Sequence, residues 1–371
     1  MENNDLLRLF NLSDAVPRDT IRRVLVIKLR HHGDVLLTSP VITSLAEQLP
    51  EAEIDALVYA ETRDMLDGLP QLAQLHCIDR KWRKSGTRQH LMHEWHLIRQ
   101  LQDRRYDLVI HLTEHWRGVI LTRFIRPRFS VAGKYRRRQN SRLWKRTFTH
   151  LYPIVPRRHT VDLHLDALRR IGLHPANPPA LSVDIPETAR TRIRDLLRDS
   201  GLKDSDRYLV VHPTSRWMFK GWPPENFSRV IDTLSDRGWK VVVTAAPDKR
   251  ELALAHAIFR SCRTSPVNLT GKLSLKELAA VIDGAAAFIG LDSVPMHLAA
   301  ACQTPAVALF GPSSEQEWGP WQSPSTVLTT PLSCRPCGQD GCGGGKISDC
   351  LWQVTPERVI DAVSTLTDSS I

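Results

Sequence analysis

The sequence predicts an α/β protein of two parallel-sheet domains facing across a cleft, and three observations carry that prediction. Short apolar runs alternate with helical stretches, a proline-rich break interrupts the alternation, and the alternation then restarts. Strands that are apolar at nearly every position belong to parallel sheets covered on both faces. In the first half, Val24 to Leu29 reads as a strand, Val35 to Gln48 as a helix, and Ile54 to Tyr59 and Asp107 to Leu112 as further strands. The break at 172–186 holds Pro175, Pro178, Pro179 and Pro186, which forbid helix and mark a linker. Beyond it come strands at 208–212, 240–245, 285–291 and 306–310, with helices at 224–234 and 294–301. The expected domains are residues 1–175 and 176–371, the last helix being free to pack back on the first.

A chain of 371 residues suits two domains at roughly 150 residues each. With 42% apolar and 24% charged residues it has an ordinary globular composition, and its size needs no disulfide staples. Seven unevenly spread cysteines do not form a secreted disulfide framework. No apolar run approaches the ~20 residues of a membrane span, and MENNDLLRLF lacks the pattern of a signal peptide. The expected compartment is the cytoplasm.

The net charge of +10 is concentrated in one half. Residues 1–175 carry 30 Lys+Arg against 19 Asp+Glu, or +11, and the remainder carries 20 against 21, or −1. From Arg117 to Arg158 there are thirteen Lys/Arg and no acid. Such a tract is either a solvated face or a site for a polyanion: a phosphorylated sugar, an anionic membrane surface or nucleic acid.

Ligands of parallel sheets sit at the carboxyl ends of strands, so the loops there matter most. None carries GxGxxG or GxxxxGK[ST], which disfavours a nicotinamide enzyme or a P-loop ATPase. The first loop, Arg30-His31-His32-Gly33-Asp34, offers a carboxylate that either caps a helix or takes a proton from a substrate hydroxyl. In the second, His212 to Trp222, Thr214, Ser215, Arg216 and Lys220 suit phosphate oxygens, and Trp217, Phe219 and Trp222 read as exposed aromatics. In the third, Gly290 to His297, Asp292 and Ser293 read as a helix cap with Pro295 in the first turn. The free amides there suit an anion, and His297 lies one turn on from Ser293.

Two further patterns bear on metals. His90, His93 and His96 recur on a helix without a carboxylate at ligand spacing. Cys334, Cys337, Cys342 and Cys350 are compatible with a structural zinc, a disulfide pair or free thiols.

The three loops, in this order, resemble the ADP-heptose:lipopolysaccharide heptosyltransferases, a family with the GT-B fold of two Rossmann-like domains. The matching text is VLVIKLRHHGDVLLTSPVITSL, HPTSRWMFKGWPPENFSRVID and GLDSVPMHLAAACQTPAVALFGPS; with TAAPDKREL and the basic tract it looks most like the type III enzymes, which add the branch heptose of the inner core. The resemblance implies inverting transfer from ADP-heptose, with no cofactor and no metal, to a phosphorylated inner-core heptose. It implies that Asp34 is the general base. Thr214, Ser215, Lys220, Asp292, Ser293, Val294 and His297 would hold the donor, with Asp248 or Glu251 near the ribose. The family often has Thr-Gly where this chain has Ser293-Val294. On the acceptor side are expected His32, Gly33 and the basic Arg136, Arg137 and Arg138, with peripheral contact to the anionic inner membrane on its cytoplasmic side. Types I and II, a sugar-nucleotide epimerase on the same fold, and a nucleic-acid-binding protein are the competing readings. The basic tract has few interleaved aromatics and no recognised RNA or DNA motif, so no nucleic-acid partner is expected.

Overall fold

The apolar runs become the strands of two sheets, seen in a computed structural model that describes residues 14–368 other than Ser85 and Gln139. The MENNDLLRLF segment, read above for a leader pattern, lies outside the described residues. The chain divides into two units, up to Pro179 and from Ala180.

In the first unit the strands are β1 (Arg23–Ile27), β2 (Glu53–Tyr59), β3 (Gln74–Ile78), β4 (Leu108–His111), β5 (Phe129–Gly133) and β6 (His150–Tyr152). The helices are α1 (His32–Leu36), α2 (Ser39–Gln48), α3 (Thr87–Asp103), α4 (Trp116–Ile125), α5 (Arg142–Thr147) and α6 (Thr160–Arg169). All pairings are parallel, in the order β3-β2-β1-β4-β5-β6. Helices α2 and α6 pack together, as do α3, α4 and α5 in succession. Burial of Leu25, Ile27, Leu57, Val109, Leu97 and Leu121 in one cluster ties sheet to helices.

The second unit holds β7 (Tyr208–His212), β8 (Lys240–Val243), β9 (Val267–Asn268), β10 (Ala287–Leu291), β11 (Ala306–Leu309) and β12 (Ser325–Leu328). Its helices are α7 (Glu187–Asp199), α8 (Pro224–Asp236), α9 (Lys249–Ser261), α10 (Leu275–Asp283), α11 (Val294–Ala301), α12 (Glu315–Trp318), α13 (Asp349–Trp352) and α14 (Pro356–Asp368). The sheet is again parallel, ordered β12-β11-β10-β7-β8-β9. Counted within the unit this is the same order as in the first, so each sheet reverses winding between its first and fourth strands. The last helix, α14, packs on α8 and the β10–β12 side of its own unit, burying Val359, Ile360 and Val363.

Two expectations are corrected at this level. The helix read as 35–48 is two helices, because Pro40 lies at the start of α2. Proline supplies no N–H to the ladder, and its ring opposes the carbonyl four residues back. Trp222, read as an exposed aromatic, is buried in the core with its indole N–H donating to Val354 O at 2.9 Å. Trp217 is exposed, as the sequence suggested.

Candidate active site

At the winding reversal of the first sheet, β1 and β4 lie side by side and their following loops meet. Lys28, one residue past β1, is buried, and its Nζ donates to Leu112 O at 3.1 Å and to His164 Nε2 at 2.8 Å. The His164 Nδ1–H donates to Leu37 O at 3.0 Å, which leaves Nε2 as the acceptor. Leu29 N–H donates to the Thr113 hydroxyl at 3.2 Å, closing the junction.

Asp34 sits in this junction. It is the third residue of α1, and the cap position belongs to His31, so the carboxylate is not the cap that spacing suggested. Its Oδ1 lies 3.8 Å from Lys28 Nζ and 3.6 Å from Arg30 Nε, and its side chain is only 13% exposed. Burial pushes the Lys28 ammonium down to about 8, against the opposing pull of Asp34. Burial likewise holds the His164 imidazole well below its ordinary value, so it is neutral. The result is a carboxylate flanked by two cations, one buried and one exposed.

The residues expected on the acceptor side divide between scaffold and surface. Gly33 is helical at the second position of α1 and has no left-handed backbone. The ring of His32 is bonded through Nε2 to Glu61 O at 2.6 Å. Among the three expected acceptor arginines, Arg136 and Arg137 are exposed. Arg138 is pinned, its Nε donating to Glu114 O at 3.3 Å and its guanidinium lying 4.6 Å over the Trp116 ring.

The second sheet repeats the arrangement with β7 and β10. Lys220, from the loop after β7, pairs with Asp292, just after β10, at 2.5 Å. Ser293 caps α11 in an extended conformation, its hydroxyl donating to Leu291 O at 3.3 Å, and Val294 opens the helix ahead of Pro295. His297, one turn further, is buried. The Thr214 hydroxyl is also buried and donates to Glu251 Oε2 at 2.6 Å. Ser215 Oγ accepts from Trp217 N–H at 3.3 Å. Asp248 caps α9, accepting from Arg250 N–H at 2.9 Å and Glu251 N–H at 3.4 Å. Asp248 and Glu251 therefore both hold the start of α9 beside the Thr214 loop.

Sequence reasoning missed Lys28, His164 and the C-terminal anchors of the second loop. Lys28 looked like the end of a strand; the one signal was a lysine inside an otherwise apolar run. Ser348 donates to Phe219 O at 2.6 Å, which, with the Trp222–Val354 bond, fastens the Lys220 loop.

All seven cysteines are thiols, and among the described residues no group of three His, Cys, Asp or Glu is arranged to hold a metal. His93 stacks on Trp82 with ring centroids 5.0 Å apart, and His90 lies 3.9 Å from Glu94, so the row does have a carboxylate one turn on from His90, contrary to the reading above.

Two parallel sheets wound in the same order, each with charged loops at its reversal, define a GT-B-type protein. Over 93% or more of the chain, solved structures share that fold. A glycosyltransferase of family 9 from Veillonella parvula matches with TM-score 0.83 and 25% identity, covering 96% of this chain and 100% of that one. The Escherichia coli ADP-heptose lipopolysaccharide heptosyltransferase II matches with TM-score 0.75 and 19% identity, over 94% and 99%. In sequence, the chain is 38% identical over 296 residues to an Escherichia coli protein named lipopolysaccharide heptosyltransferase 3, covering 80% of this chain and 85% of that one. Residues 94–347 match the family model for glycosyltransferase family 9 (heptosyltransferase). The chain belongs to glycosyltransferase family 9 and is a glycosyltransferase.

Proposed function

We propose that this chain transfers L-glycero-D-manno-heptose from ADP-heptose, with inversion, to the inner-core heptose of lipopolysaccharide as the type III branch. The observation that carries the chemistry is Asp34, a nearly buried carboxylate held beside Lys28 and Arg30 at the carboxyl end of β1. The likeness to a lipopolysaccharide heptosyltransferase 3 supports the choice of donor and acceptor.

In this reaction Asp34 takes the proton of the acceptor hydroxyl as its oxygen attacks the anomeric carbon. The bond from that carbon to the diphosphate breaks, and ADP leaves. Lys28 and Arg30, 3.8 and 3.6 Å from its Oδ1, hold the Asp34 carboxylate in place as the base. On the donor side Lys220 stabilises the departing charge, with Asp292 holding its ammonium in place until the pyrophosphate arrives. The Ser293 and Val294 amides add donors there, while Ser215 and His297 line the same region. Thr214, Asp248 and Glu251 shape the ribose side. The first unit binds the acceptor through His32, Gly33, Arg136, Arg137 and Arg138, and the second binds the donor.

The reaction uses no metal and no cofactor. The chain works on the cytoplasmic side of the inner membrane as a peripheral protein, with no nucleic-acid partner. Among the described residues no helix is long and apolar enough to cross a membrane, which is compatible with that placement.

The test is ADP release from ADP-heptose, with and without a heptose-deficient core acceptor, for the wild type and Asp34→Asn. Acceptor-dependent release that falls by at least about 100-fold in the variant, with ADP affinity intact, is the expected result. Release that needs no acceptor, or that survives in Asp34→Asn, overturns the proposal.

A further inference from the structure

Three helices of the first unit carry large apolar side chains on their outer surface. On α3, Leu91 and Trp95 are 61% and 58% exposed; on α4, Ile120 and Phe124 are 51% and 49% exposed. Each pair is spaced four residues apart, hence on one side of its helix. Leu97 and Leu101 of α3 and Leu121 of α4 enter the same core cluster. The two helices pack side by side, joined by the Arg117–Glu94 ion pair and by Gln102 Nε2 donating to Phe124 O at 2.9 Å. Their outward sides therefore form one face, and α5, with exposed Leu143, extends it.

Cations outnumber acids on α3, α4 and α5, where the acids are Glu94 and the exposed Asp103, both on α3. Arg123 of α4 and Arg142, Lys145 and Arg146 of α5 are exposed, and no acid occurs from Arg117 to Arg158. On α3, Arg99 lies 4.7 Å over the Trp95 ring, placing a cation on the apolar face itself. Glu94 is already neutralised by Arg117. Aliphatic and aromatic side chains rimmed by cations match the boundary of an anionic bilayer, where indole and phenyl rings sit at headgroup level and arginines meet phosphates. A second copy of the chain fits poorly, since a two-fold contact would set this cationic face against itself.

We propose that the outer face of α3, α4 and α5 lies on an anionic phospholipid surface, with Leu91, Trp95, Ile120 and Phe124 among the headgroups. This deepens the proposed function, on whose peripheral-membrane reading it rests, by naming the surface that meets the lipid.

The experiment is cosedimentation of the full chain with vesicles of phosphatidylglycerol and phosphatidylethanolamine, or of phosphatidylcholine alone. Wild type should pellet with the anionic vesicles, and less so at high salt. The double variant Ile120→Gln/Phe124→Gln should lose on the order of tenfold in partitioning. Arg123→Gln should lose about fivefold, on anionic vesicles alone. All these side chains are exposed, so thermal midpoints and acceptor-dependent ADP release with a soluble core fragment should hold. Wild type that fails to bind anionic vesicles overturns the proposal, as does a double variant that binds undiminished. A wild-type dimer that the double variant converts to monomer also overturns it, in favour of contact between copies. Intact vesicle binding without any ADP release supports the lipid face and counts against the transferase reading alone.

Discussion

Lys28 gives the most direct quantitative test of the site, because its ammonium is buried at the foot of Asp34. A lysine whose ordinary value is 10.5 and whose folded value is about 8 binds its proton less well in the native state than in the unfolded one. Between those two values the unfolded chain holds a proton that the native chain has released, so this group makes stability rise with pH. The slope is ~1.4 kcal/mol per pH unit, and the whole effect is about 3 kcal/mol. Below pH 8 the destabilisation is present in full; above 10.5 it is gone. Lys28→Met cannot titrate and serves as the reference. Denaturant unfolding of both proteins at pH 7 and pH 10 should show wild type gaining on the variant by roughly 2–3 kcal/mol. A difference constant to within about 0.5 kcal/mol across that range would mean the ammonium is well solvated, and the argument for a buried cation beneath Asp34 would fail.

Other expectations follow from particular contacts. Gly118→Ala should lower stability by about 1–3 kcal/mol or more, since the added Cβ would lie 1.6 Å from His111 Nε2, and an unshifted thermal midpoint would contradict this. Lys220→Ala should weaken ADP binding on the order of tenfold to a hundredfold by calorimetry while leaving the fold intact; unchanged affinity would remove Lys220 from the donor side. Arg136→Gln/Arg137→Gln should raise the acceptor KM without changing ADP affinity, whereas Arg138→Gln should also lower the melting temperature through its lost Glu114 and Trp116 contacts. Equal behaviour of the three would deny that division.

The strands and the proline-rich break were legible because buried parallel strands leave a contiguous apolar run, as in Tyr208–His212. Loops at strand ends were legible for a related reason: Lys220 and Asp292 stand out as charges next to apolar runs. What those side chains bond to was not legible. Thr214 and Glu251 are 37 residues apart, and no local pattern marks their hydrogen bond. Lys28 escaped notice because position in a strand says nothing about a partner 136 residues on, at His164. Trp222 was misread because aromatic residues of one short loop share their neighbours in sequence but not in space. The cap at His31 shows the same limit on a smaller scale: where a helix starts is settled by backbone geometry, and a carboxylate three residues later carries no signal of that boundary.

The anchoring of the Lys220 loop by Ser348 and Val354 bears on how the protein is made. A growing chain completes every strand of the second sheet by Leu328, yet Phe219 O and the Trp222 indole still await partners beyond residue 340. Those partners emerge only after all six strands. The loop assigned to the donor thus locks only after the strands of its sheet have been made and residues 348–354 have followed them.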